Sequence, residues 1–174
     1  RGLTNLNHYN LSVLLATTDL TVPGVRETIG ALYRRHHALR IKFDRTDTQW
    51  IGQHMPLTDE LIAAAVHHVD LRSIEAASRR SRIEAACEEL QRSLDIERGI
   101  LVKAAYFDLG RGSGRLLLVG HHLVTDWVSW RIVLADLERA CRQVVGGQAV
   151  TLPPKVCSYQ QWGDAIHEYA HSDV

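Results

Sequence analysis

Hydrophobic positions change period several times along the chain, and each change marks an element. Residues 7–17 contain the run Val13-Leu14-Leu15 and predict a strand. Pro23 then opens a helix, with Asp19 and Thr21 as candidate caps, because proline is tolerated in a first turn that has no N–H bond to lose. Val25, Ile29, Leu32 and His36 recur at three- and four-residue steps, so one face of this helix is buried. The helix is expected to stop near Ala38, since Leu39, Ile41 and Phe43 switch to period two. An amphipathic strand there pairs as a hairpin with residues 49–54.

Residues 57–65 fit no single template. Residues 66–69 read as a short strand, and residues 71–94 as a long helical pattern through Ile74, Ala77, Ile83, Ala86 and Leu90. Two strands, 100–109 and 115–120, flank a Gly-Ser turn at 110–114. A helix over 128–145 ends at Gly146-Gly147 and carries Trp130, Leu134, Leu137 and Cys141 on its apolar face. Residues 152–154 form an extended connector before a last helix, capped by Ser158 and ending near Ala170. Helices interleaved with hairpin-linked strands predict a mixed α/β layered architecture. A doubly wound nucleotide fold is not indicated: Gly110-Arg111-Gly112-Ser113-Gly114 joins two strands and opens no helix.

Composition narrows the function classes. A hydrophobic content of 45% can fill a core, and the net charge is zero with histidines neutral. No basic surface advertises nucleic acid or an anionic membrane, and no apolar run approaches the ~20 residues of a membrane span. Cys87, Cys141 and Cys157 are widely spaced and odd in number, which gives neither a disulfide framework nor a CxxC metal site. Cys87 and Cys141 fall in helical patterns and read as small buried hydrophobes. Residue 1 is arginine with no signal-peptide pattern after it, so a cytoplasmic piece of a longer polypeptide is expected.

Six of the ten histidines fall in three adjacent pairs, and neighbours in sequence point in different directions, so no pair is a ready metal chelate. His36-His37 ends a helix, where a cation suits the C-terminal dipole. His67-His68 has only Asp70 as a nearby acid. His121-His122 differs in setting, at the end of the apolar run Leu116 to Val119 and just before a helix. That junction can project a side chain from a rigid scaffold into a cleft. Histidine serves as a base near neutral pH. On the residues alone, catalysis and a buried hydrogen-bonded pair are both open.

His121-His122-Leu123-Val124-Thr125-Asp126 resembles the HHxxxDG signature of condensation-superfamily domains of nonribosomal peptide synthetases. Arg35-His36-His37-Ala38-Leu39-Arg40 resembles the RHxxLR motif those domains carry earlier, and the likeness extends to residues 7–15 and 152–155. The resemblance implies a fold like chloramphenicol acetyltransferase, two lobes forming a V with a tunnel between, of which this chain matches the first. It makes His122 the catalytic or substrate-orienting group, and His121 and Arg35 motif support. It also makes Asp126 a structural acid with Arg40 as its candidate partner. The implied substrate arrives on the phosphopantetheine of a peptidyl or acyl carrier protein, with no cofactor or metal bound directly. The implied partners are that carrier and the C-terminal lobe of the same domain.

Val128-Ser129-Trp130-Arg131-Ile132, residues 8–12 and residues 158–162 resemble epimerization domains more than peptide-bond-forming ones. Such domains invert the Cα of an aminoacyl or peptidyl thioester, with a glutamate from the second lobe joining the histidine. An isolated first lobe is therefore expected to be inactive. A condensation domain, a catalytically silent recruitment module and a coenzyme A acyltransferase are the competing readings. The chain departs from the motif at Trp127, where the family has glycine. Glycine there can supply a positive φ or leave room for a substrate arm, so an indole either packs against the lobe or blocks the tunnel. Trp127 and Ser129 are the candidate tunnel residues.

Overall fold

The computed structural model describes residues 6–154 and 157–172. Lys155, the last residue of the family-like stretch 152–155, lies outside the described residues. A 3-10 turn, Leu6–His8, leads into β1 (Asn10–Thr18) and α1 (Val22–Arg35). Thr21 caps α1 by accepting from the Gly24 N–H, and Pro23 lies in the first turn, as expected. The helix stops three residues short of Ala38, and a 3-10 turn (His37–Arg40) carries the chain into the hairpin β2 (Ile41–Arg45) and β3 (Trp50–His54). The ambiguous stretch resolves as α2 (Asp59–Ala65), capped by Thr58. Then come β4 (Val66–Asp70), α3 (Ala76–Arg92), β5 (Val102–Gly110), β6 (Ser113–His121), α4 (Trp127–Val145) and α5 (Tyr159–Ala170).

The main sheet has the order β1-β6-β5-β4; β1 and β5 run antiparallel to β6, and β4 is parallel to β5. Alternation along β5 and β6 sends successive side chains to opposite faces. Ala104, Tyr106, Leu116 and Leu118 meet Val25, Ile29 and Leu32 of α1 and Trp130, Val133 and Leu137 of α4. Ala105, Phe107, Leu117 and Val119 meet Leu90 of α3 on the other face. The result is three layers, α1/α4, sheet and α3. The two central strands are therefore apolar almost throughout. Cys87 and Cys141 pack partly buried against these clusters, and burial pushes both thiols up.

Candidate functional site

The buried run Leu116 to Val119 ends in Gly120, and Gly120 has a steric reason to lack a side chain. A Cβ there would stand 2.9 Å from the Trp130 ring and 3.1 Å from Thr125 Oγ1. The missing side chain lets the first turns of α4 close onto the strand end. His121, the last residue of β6, is buried and held at both ring nitrogens. Nε2–H donates to the Leu6 carbonyl at 2.7 Å, and Nδ1 accepts the Leu123 N–H at 3.1 Å. Burial pulls this imidazole below its ordinary value, with the neighbouring His122 adding to the effect and the Leu6 bond opposing it. The His121 carbonyl accepts from the Val124 and Thr125 N–H groups and the Thr125 hydroxyl, which winds residues 121–125 into a tight turn.

His122 is the half-buried member of the pair. Its N–H donates to the Tyr9 carbonyl at 2.8 Å, and its ring stacks on the Tyr9 ring at 4.6 Å and 11°. Among the described residues, no protein group takes a ring nitrogen of His122. The two histidines have divided the alternatives left open above: His121 is the buried, hydrogen-bonded one, and His122 is the one offered to a cleft. That cleft, about 350 Å³, has one wall formed by residues 122–126 and Ser129. The facing wall comprises Ala38, Ile41, Phe43, Gly52 and His54 of the hairpin region, and Tyr159 and Gln160 of α5 complete it.

Asp126 does not pair with Arg40. Its carboxylate caps α4, accepting the Ser129 N–H at 2.6 Å, while the Ser129 hydroxyl accepts the Asp126 N–H at 2.8 Å. That reciprocal box, led by the Ser129 N–H, holds the Asp126 carboxyl below its ordinary value. Arg40 instead donates from Nε to the Tyr33 carbonyl at 2.9 Å and from Nη1 to the Met55 carbonyl. Its guanidinium fastens the hairpin to the end of α1, and both of its bonds go to backbone. Arg35 ends α1 with its Nε buried and without a hydrogen-bond partner among the described residues.

The link from the first motif to α4 is His36, whose Nε2 lies 2.8 Å from Asp136 Oδ2 in a largely buried contact. The helix-dipole reading of His36 thus gives way to a specific partner. Asp136 was missed, yet its signal was present: an acid on the stripe Trp130, Val133, Leu137 and Ala140 is a buried acid in need of a partner. Trp127 needs no positive φ. It begins α4 in a helical, not left-handed, backbone; the residue is 73% exposed; and it is not on the cleft wall. Ser129 is on that wall.

Among the described residues, no group of three His, Cys, Asp or Glu side chains is placed to hold a metal ion. No helix there is long and apolar enough to cross a membrane.

A fold of this kind with a histidine at the strand end defines a class. The sequence model of the Condensation domain matches residues 3–174, and the chain belongs to that family. One of the linear gramicidin synthase subunits of Brevibacillus parabrevis is 41% identical over 98% of this chain, which covers 3% of that protein. A plipastatin synthase subunit from Bacillus subtilis (strain 168) is 35% identical over 95% of this chain and 6% of its own length. Among solved structures, the epimerization domain from the third module of tyrocidine synthetase B superposes with a TM-score of 0.84 at 32% identity. The superposition covers 98% of this chain and 38% of that one. A condensation domain of the enacyloxin polyketide synthase superposes at 0.74 with 20% identity, over 96% of this chain and 31% of that one, which shows the shared fold alone. The chain thus spans a small part of the synthases it matches.

Proposed function

We propose that this chain is the first lobe of an epimerization domain in a nonribosomal peptide synthetase. It would invert the Cα of an aminoacyl or peptidyl thioester presented on the phosphopantetheine of a carrier protein. The observation that carries this reading is the 32% identity and 0.84 TM-score to the tyrocidine synthetase epimerization domain over nearly the whole chain. Neighbours described as condensation domains stand at 14–20% identity.

The chemistry fits the wall described. A thioester acidifies its Cα–H, and inversion then needs a positioned base within reach of that carbon. His122 is stacked on Tyr9, among the described residues no protein group takes its ring nitrogens, and Ser129 and Thr125 share its wall. The second lobe, reading on from this segment, would supply the acid for the opposite face of the enolate-like intermediate. Exposed apolar side chains support a covering body: Leu123, Trp127, Val128 and Ile132 around the start of α4, and Tyr159, Trp162, Ile166 and Tyr169 on α5. Scattered apolar residues are ordinary on a surface, but contiguous sets such as these mark interfaces.

Product analysis decides between the readings. The complete domain is supplied with an L-aminoacyl carrier, with and without a second, amine-bearing carrier. The D-isomer appears in both mixtures if the domain epimerizes. A dipeptide that forms only with the second carrier would identify a condensation domain. Carrier binding without either product would identify a silent recruitment module.

A further inference from the structure

His122 occupies one wall of its cleft, and the facing wall has a chemistry of its own. On the β2–β3 hairpin, Phe43 pairs across the strands with Gly52. A Cβ on Gly52 would stand 3.3 Å from the Phe43 ring and 3.4 Å from Ile41 Cγ2, so all three share the face that lines the cleft. That face is apolar and lacks one side chain at its middle. Beside it, His54 is oriented by His37: Nδ1 lies 3.2 Å from the His37 carbonyl oxygen, and the rings meet edge-on at 6.2 Å and 73°. A carbonyl oxygen only accepts, so Nδ1 carries the proton and the neutral ring keeps Nε2 as an acceptor. No protein hydrogen bond is made to Nε2 among the described residues.

We propose that this wall seats the amino-acid residue of the carrier-bound thioester. Its side chain lies against Ile41 and Phe43 over Gly52, and its α-nitrogen donates a hydrogen bond to His54 Nε2. The inference rests on the reading above that the substrate is an aminoacyl or peptidyl thioester, and it adds which residues sort that substrate. The ligand class is an acyl group with an α-amino or α-amido nitrogen and an apolar side chain. A cleft of about 350 Å³ is at the small end of ligand sites, which suits one amino-acid unit and the end of its arm. A plain acyl chain has no N–H for His54 and leaves that acceptor unpaired, which is how a polar group rejects an apolar analogue. His122 on the opposite wall then faces the carbon between nitrogen and thioester.

The test uses the complete domain and a carrier loaded through a non-hydrolysable amide with alanine, leucine or 4-methylpentanoate, which is leucine without its nitrogen. The wild type should bind the leucyl carrier more tightly than the other two. Gly52→Val should weaken leucyl binding about tenfold or more and alanyl binding about twofold or less, as expected for added methyls in a hydrophobic pocket. Gly52→Ala should give a smaller loss in the same order and serves if the valine variant does not fold. His54→Phe keeps a ring and should erase the preference for leucine over 4-methylpentanoate. Equal losses for alanyl and leucyl carriers on substitution of Gly52, or an intact nitrogen preference in His54→Phe, would overturn the proposal. Turnover of the true thioester by the wild type separates this from the reading it rests on. Discrimination without inversion removes the epimerase and leaves the subsite; inversion without discrimination removes the subsite alone.

Discussion

Adjacent histidines in one motif have opposite fates because the strand ends between them: His121 closes β6 and His122 opens the turn that follows. His121 faces inward, where Leu6 accepts from one nitrogen and Leu123 donates to the other. Protonating it would place a second N–H against the Leu123 N–H and bury a charge. Its folded-state pKa therefore lies below the unfolded value, about 6.5, so the unfolded chain binds more protons between the two. The stability that follows is complete above about pH 6.5 and is lost as pH falls toward the folded value. His67 contributes in the same direction through its own burial and Lys103. The His121 share is the slope removed in His121→Gln, read from denaturant unfolding between about pH 7.5 and 5. An unchanged slope would mean that His121 is not held neutral. His122, stacked on Tyr9 and lining the cleft, is only half-buried.

At the level of elements, the loop bearing His122 is braced by α4, and α4 is braced twice. Asp126 and Ser129 close its first turn, and Asp136 in its third receives His36 from the end of α1. His36→Ala leaves a buried carboxylate oxygen without that partner and should cost about 1–3 kcal/mol. Asp136→Asn keeps a side chain that can still hydrogen-bond the imidazole, so thermal or denaturant unfolding should show a smaller loss than Asp136→Leu. Equal losses would reduce the contact to packing. These links show what the sequence could and could not disclose. Period-two alternation located the hairpin, and the glycines at 146–147 and Ser158 located the ends of the last two helices, because those signals are local. The early stop of α1 at Arg35 was hidden, since the 3-10 turn that follows continues the short-range pattern. The brace was misassigned for a different reason. Arg40 spends its donors on the backbone carbonyls of Tyr33 and Met55, and spacing says nothing about which carbonyls lie near.

On the scale of the whole molecule, the antiparallel β1–β6 pair and the parallel β4–β5 pair bring together segments that are distant in sequence. Tyr9, His122 and the β2–β3 hairpin meet only through that topology, so the cleft had no signature in the linear chain, although His122 did. The family motif supplied the residue, and the fold supplied the walls. At Trp127 the helical backbone accepts the departure from the motif, and the exposed residue does not line this cleft. The central claim is that His122, not its buried neighbour, moves the Cα proton of a carrier-bound thioester. Its most direct test is hydrogen exchange at that carbon in deuterated water, followed by mass spectrometry of the carrier-bound amino acid with the complete domain. Deuterium should enter Cα with the wild type and fall by at least about 100-fold in a folded His122→Ala variant, the scale of a lost general base. Wild-type incorporation that survives in His122→Ala would contradict the account.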